Sequence, residues 1–252
     1  MKTMNYKHYQ SKPTLELPDR SWPDQKLERA PQWASVDLRD GNQSLEIPMS
    51  LEQKAFFFQY LVELGFKQIE IGFPSSAPTE FNFARKLIED RLIPNDVAIQ
   101  VLTQSREDLI DTTFRAVAGA PRAIIHLYNS ISELHREVVF QKIHEEIVEL
   151  AVKGAQMMAK RADEDTSGTE FIMQYSPENF SQSDMDFAVQ ICDAVTETWL
   201  DAGYEDIIIN LPATVECSLP NVYADQIEYF SQHSRYRDRV TLSLHTHNDR
   251  GT

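Results

Sequence analysis

Asp37-Leu38-Arg39-Asp40-Gly41-Asn42-Gln43 closes a short apolar run, residues 33–38, that reads as a strand. Its counterpart, His245-Thr246-His247-Asn248-Asp249-Arg250, closes a β-branched run over 240–245 at the other end of the chain. One stretch offers a carboxylate and a guanidinium, the other two imidazoles. Residues two apart on a strand face the same side, so His245 and His247 can reach one ion. On the same rule Asp37 and Arg39 share a face, and Asp40 enters the turn that Gly41 permits. Taken alone, a His-x-His pair is as often a chance pair of polar residues as a metal site. The polar neighbours Asn248 and Asp249, able to orient the rings, add weight to the metal. The plain alternative for Arg39 is a surface salt bridge. Against it, three charges at the end of an apolar strand need partners or a task, and Gln43 adds a neutral donor.

Working outward, apolar strands over 33–38, 67–72, 97–102, 123–127, 171–175, 206–211 and 240–245 alternate with helical patterns over 50–64, 105–117, 132–161, 183–202 and 221–233. Ser50-Leu51-Glu52-Gln53 is a capping box, and Gly65 stops the helix it opens. Regular β–α alternation predicts an α/β fold with a parallel sheet, a barrel or a doubly wound sheet. Asp40, Glu70, His126, Glu178, Thr214 and His245/His247 all fall at or just after strand C-terminal ends. A barrel gathers those ends at one mouth, where active sites sit. The prediction is therefore a (β/α)8 TIM barrel with seven strands present and its last βα unit missing, over residues 33–252. Residues 1–32, with Pro13, Pro18, Pro23 and Pro31, read as an N-terminal extended arm.

Composition narrows the partners. The 252 residues are 42% hydrophobic and 25% charged, with a formal net charge of -15. That balance argues against nucleic acid, which needs a basic patch. It also makes a local cationic site for an anionic substrate stand out. Cys192 and Cys217 have no metal-ligand spacing and give no disulfide framework. No apolar run is long enough to span a bilayer and no signal-peptide stretch precedes the first strand, so a cytoplasmic protein is expected. His8, His135, His144 and His233 receive no role. Lone strand-end residues such as His126, Thr214 and Glu178 are more often structural, and gain interest only because so many strand ends are polar.

Ser35-Val36-Asp37-Leu38-Arg39-Asp40-Gly41-Asn42-Gln43, with His245-Thr246-His247-Asn248-Asp249, resembles the metal-dependent Claisen-condensing and lyase superfamily, whose members are TIM barrels. Within it the chain is most similar to the long-form 2-isopropylmalate synthases, a likeness shared by Asn210-Leu211-Pro212-Ala213-Thr214-Val215-Glu216 and His126-Leu127-Tyr128-Asn129-Ser130. The resemblance runs from about Pro31 to Thr252. It implies that Asp40, His245 and His247 ligate a divalent metal, Mg²⁺, Mn²⁺ or Zn²⁺. Arg39 would polarise the ketone of 3-methyl-2-oxobutanoate, Thr214 hold its carboxylate, and Leu102, His126, Ser176, Asn210 and Pro212 shape the pocket for its isopropyl group. Gln43 would also contact substrate, and Glu178 would assist the base that enolises acetyl-CoA. It further implies a homodimer at full length, a fourth metal ligand after an eighth strand, linker subdomains and a leucine-sensing domain, none of them within these residues. Two alternatives stand beside this. One is a sister enzyme making homocitrate or citramalate, since a methylene of pocket size is worth only ~1–3 kcal/mol. The other is a truncated domain that binds metal weakly and turns nothing over.

Overall fold

The computed structural model describes residues 15–251. Seven strands pair in parallel in sequence order: β1 (Ala34–Ser35), β2 (Gln68–Gly72), β3 (Ala98–Gln104), β4 (Arg122–Ser130), β5 (Glu170–Glu178), β6 (Ile207–Ala213) and β7 (Val240–Thr246). The connections carry α1 (Leu51–Glu63), α2 (Pro78–Glu89), α3 (Glu107–Val117), α4 (His144–Asp163), α5 (Met185–Asp201) and α6 (Pro220–His233). A flat sheet would hold β1 and β7 about 29 Å apart, six inter-strand steps of about 4.8 Å. Instead His245, in β7, lies 3.0 Å from Asp40, just after β1. The sheet is curled into the wall of a (β/α) barrel of seven strands.

The alternation of each strand builds two cores. Ile69, Ile71, Ile99, Val101, Ile125, Leu127, Met173, Tyr175, Ile207 and Ile209 face the helices and pack with residues such as Phe58, Phe83, Ile110, Met158 and Trp199. The opposite face looks into the barrel, where Ala98, Ile124, Ile172 and Ile208 form a small apolar floor. Two residues further along these strands come Gln100, His126, Gln174 and Asn210, all buried. Polar side chains thus stack on the apolar floor toward the C-terminal mouth, as in a filled barrel.

The local signals act as expected at several points. Ser50 caps α1 with the reciprocal bonds of a capping box, Ser50 N–H to Gln53 Oε1 at 2.8 Å and Gln53 N–H to Ser50 Oγ at 3.3 Å. Gly65 takes φ 96 just after that helix. At Gly72 a side chain is excluded by contact: a Cβ there would lie 1.9 Å from Glu80 Oε2, which is paired to the buried Lys54 amine. Cys192 is buried in the core, and no helix among the described residues is long and apolar enough to cross a membrane.

Elsewhere the structure corrects the sequence reading. β1 is two residues long, because Asp37–Gly41 forms a π-helical turn in which the N–H groups of Arg39, Asp40 and Gly41 converge on Val36 O. Asp37 and Arg39 therefore share no strand face, and Asp37 accepts instead from Ser35 Oγ at 2.6 Å. Ser176, Glu178 and Pro212 lie within strands, not past their ends, because β5 and β6 run two to three residues further than their apolar stretches, and Glu70 and His126 sit inside β2 and β4, short of their ends. Helix α2 went unread. The segment read as one helix over 132–161 is a π-helical turn, His135–Phe140, and then α4, parted at Gln141, whose φ of 53 no α-helix continues through. Of the N-terminal arm, residues 1–14 lie outside the described residues. The remainder docks on α6: Arg20 pairs with Asp225, Trp22 Nε1 donates to Asp225 at 2.7 Å, and the Ser21 and Trp22 N–H groups donate to Glu228.

Candidate active site

The π-helical turn after β1 carries Asp40 over the barrel mouth to meet β7. Asp40 Oδ2 lies 3.0 Å from His245 Nε2 and 3.1 Å from His247 Nε2, and the two nitrogens are 3.2 Å apart. Among the described residues this is the one group of three or more His, Cys, Asp or Glu ligand atoms gathered closely enough to hold a metal ion. Its donor set fits a divalent cation. Neighbouring ligand atoms of an octahedral ion with bonds of about 2.1 Å stand about 3.0 Å apart, and two imidazoles with one carboxylate on one face leave the opposite positions open. Two imidazole nitrogens and a carboxylate oxygen converging this closely are arranged as the ligands of one shared cation.

The other oxygen of Asp40 is held from behind. Arg39 Nη1 lies 2.9 Å from Oδ1, and Gln43 Nε2 donates to it at 2.8 Å, so both help to fix the carboxylate that faces the rings. The hydrogen bond with His245, then the charges of Arg39 and the two histidines, hold the Asp40 carboxyl well below the usual carboxylate range despite its burial. The expected orienting role of Asp249 is not seen: its carboxylate turns away to accept from Glu216 N–H at 2.8 Å.

Arg39 is in turn anchored by Glu70, a carboxylate 1% exposed inside β2. Burial pushes the Glu70 carboxyl up, but the hydrogen bond from His126 and the charge and hydrogen bond of Arg39 outweigh it and bring it to about 2. Gln100 Nε2 also donates to Glu70 Oε2, and His126 Nδ1 lies 3.0 Å from the same oxygen. Burial lowers the His126 pKa against the pull of Glu70. A neutral ring facing a carboxylate carries its proton on Nδ1. Its Nε2 lies 2.7 Å from Ser176 Oγ, and Ser176 accepts from Asn210 Nδ2 at 2.6 Å.

Above these groups opens a cavity of about 610 Å³. Every residue to which the resemblance assigns a site role lines it: Arg39, Asp40, Gln43, Leu102, His126, Ser176, Glu178, Asn210, Pro212, Thr214, His245 and His247. Glu178 is raised above its ordinary pKa by burial, which the charges of His135 and Arg39 offset in part. Thr214 Oγ1 accepts from Asn179 N–H at 2.9 Å, so it does cap backbone, yet its own proton remains free to face the cavity. Sequence reasoning gave no role to Glu70, Gln100 or Tyr128. Tyr128 lines the cavity and its hydroxyl accepts from Gln104 at 2.8 Å. The signal for Glu70 was present, an ionisable residue inside Ile69-Glu70-Ile71, but its partners lie on other strands. His135, also without an assigned role, bonds Ser130 Oγ at 2.7 Å.

The HMGL-like family profile matches residues 30–252. The chain is 53% identical over 250 residues to the 2-isopropylmalate synthase of Clostridium acetobutylicum, covering 99% of this chain and 45% of that protein. It is 54% identical over 249 residues to the 2-isopropylmalate synthase of Acetoanaerobium sticklandii, covering 99% and 44%. The chain thus spans under half the length of these curated relatives. Among solved structures, the HMG-CoA lyase of Bacillus subtilis superposes with a TM-score of 0.57 at 16% identity, over 83% of this chain and 66% of that one, a likeness of fold.

Proposed function

Since the chain belongs to the HMGL-like family, we propose that it carries the condensation chemistry of a 2-isopropylmalate synthase. In that reaction acetyl-CoA, 3-methyl-2-oxobutanoate and water give 2-isopropylmalate and CoA, a step of leucine biosynthesis. The reading is supported most by one juxtaposition: a fixed guanidinium beside a carboxylate–bis-imidazole triangle, at the mouth of a half-apolar cavity. The relatives named 2-isopropylmalate synthase support the choice of acyl acceptor.

In this reading Asp40, His245 and His247 hold a divalent metal, which supplies positive charge to the oxygens of the bound 2-oxo acid. Arg39 donates to the ketone oxygen and more strongly to the alkoxide it becomes, so its stabilisation is greatest in the transition state. Thr214 donates its free proton to the substrate carboxylate. Leu102, His126, Ser176, Asn210 and Pro212 surround the branched side chain, and Gln43 borders the substrate while steadying Asp40. Glu178, partly desolvated, assists removal of a proton from the acetyl methyl group. The new carbon–carbon bond forms between that methyl carbon and the ketone carbon. Water then cleaves the thioester, and CoA leaves as the thiol. A cytoplasmic location and a homodimer at full length belong to the same proposal.

The test is direct. The full-length protein, supplied with Mg²⁺ or Mn²⁺, acetyl-CoA and 3-methyl-2-oxobutanoate, should release CoA thiol and form 2-isopropylmalate, identified by mass. It should turn over 2-oxoglutarate and pyruvate far less well. Equal or better turnover of either competitor, or no thiol release with any of the three, sinks the reading.

A further inference from the structure

We propose that Glu70 determines substrate specificity from behind the pocket wall, by fixing the tautomer of His126 so that the side-chain subsite shows no hydroxyl donor. The proposal rests on the functional reading above for its substrate, and on hydrogen-bond geometry around a neutral ring for its logic. Glu70 has two oxygens and three donors: Arg39 Nε on Oε1, and Gln100 Nε2 and His126 Nδ1 on Oε2. Gln100 Nε2 also lies 3.2 Å from Nδ1, but the carboxylate at 3.0 Å is the nearer and charged partner and draws the ring proton to Nδ1. Nε2 is then an acceptor, and at 2.7 Å its partner Ser176 must point its only O–H at the ring. Asn210 Nδ2 fills one of the remaining lone pairs of Ser176 from the other side. The wall built by His126 and Ser176 therefore offers the cavity no O–H or ring N–H. A branched apolar side chain loses nothing against such a wall. A side chain carrying a hydroxyl is partly desolvated there and finds no donor for its oxygen on His126 or Ser176.

Glu70→Gln inverts the relay in a predictable way. An amide has one acceptor oxygen, and the charged guanidinium of Arg39 is the strongest donor competing for it. The amide NH₂ then faces His126 and donates to Nδ1, while Gln100 turns its own amide to accept. The ring proton moves to Nε2 and is donated to Ser176. The Ser176 O–H, released, swings toward the cavity.

The experiment compares 3-methyl-2-oxobutanoate with 3-hydroxy-3-methyl-2-oxobutanoate, which adds one hydroxyl at the branch, as ratios of kcat/KM in the full-length protein. Glu70→Gln should shrink the preference for the apolar substrate by about tenfold, the worth of one hydrogen bond. Ser176→Ala combined with Glu70→Gln should restore the preference, since no hydroxyl remains to be freed. A separate readout needs no turnover. In ¹⁵N-histidine spectra, with the His126 signals assigned by their loss in His126→Asn, the wild-type ring should be protonated on Nδ1 and bare on Nε2, and Glu70→Gln should reverse this. A wild-type ring protonated on Nε2 overturns the proposal. So does an unchanged preference in Glu70→Gln, or a relaxation that survives in the double variant. If the wild type turns over neither compound, the functional reading has failed and the spectra alone decide the tautomer.

Discussion

Arg39→Lys separates a group that acts on the transition state from one that merely holds substrate. The guanidinium has five N–H donors in a rigid fork. One is spent on Glu70 through Nε and one on Asp40 Oδ1 through Nη1, leaving three to face the cavity. A lysine keeps the charge but has a single nitrogen, which cannot span both carboxylates and still reach a ketone oxygen. The loss has two parts. Removing one donor aimed at a developing oxyanion costs about 10²–10³ in kcat, or about 3–4 kcal/mol of transition-state stabilisation. Leaving Glu70, 1% exposed, short of one partner costs about 1–3 kcal/mol of fold stability, a fall in Tm of several degrees for a chain of this size. Thiol-release kinetics on the full-length protein, with the metal saturating, should therefore show kcat down about 100-fold or more and KM for the 2-oxo acid changed by less than about threefold. If KM rises alone and kcat holds, Arg39 binds substrate without stabilising charge that develops later, and the assignment is wrong.

Other changes probe neighbouring claims. His247→Ala removes one corner of the triangle and should weaken Mn²⁺ binding, read by calorimetry, more than the roughly 10–100-fold typical of an outer-shell change; full activity after dialysis against a chelator would count against the site. Glu70 titrates in the fold at about 2, below its ordinary 4.5, so it adds stability above pH 4.5 that is lost as pH falls toward 2. The stability gap between wild type and Glu70→Gln, from urea unfolding, should accordingly narrow across that window, and a gap that stays constant refutes the linkage. Arg20→Ala strands the buried Asp225 carboxylate and should cost about 1–3 kcal/mol of stability with turnover at 25 °C unchanged, since the arm is remote from the cavity. The 252-residue polypeptide by itself leaves β1 and β7 at the open ends of the sheet, so it should self-associate when concentrated; light scattering that reports only monomer would contradict this.

The sequence carried the periodic parts of the fold and lost the parts that depend on where a turn is aimed. Two-residue spacing at the end of β7 does bring the rings of His245 and His247 to one side, their nitrogens 3.2 Å apart. The capping box before α1 needs only four residues and is present as read. By contrast, the strand expected through Leu38 stops at Ser35, because three consecutive N–H groups turn back on one carbonyl. No local propensity encodes that choice. It is stabilised by what the turn delivers, Asp40 to the histidines and Arg39 to Glu70. Helix α2 escaped for a related reason. Its buried face is only Phe83, Ala84 and Leu87, and its first turn is tied down by the Lys54–Glu80 pair, a contact between residues of different βα units.

Glu70 shows what such contacts are for. An ionised carboxylate inside a strand is costly to desolvate, and a well-packed apolar residue in its place is often neutral or stabilising. Nothing in the packing of β2 requires it: Ile69 and Ile71 supply the burial on the helix side. What requires it is the donor set across the barrel, a guanidinium from the turn after β1, an amide from β3 and a ring from β4. Three donors from three elements converge on one group, so the orientation of each depends on the other two. The apolar floor beneath them offers no polar group that could take over any of these bonds. Stability accounts poorly for that arrangement. Directional control of the Arg39 and His126 side chains at the cavity wall accounts for it well.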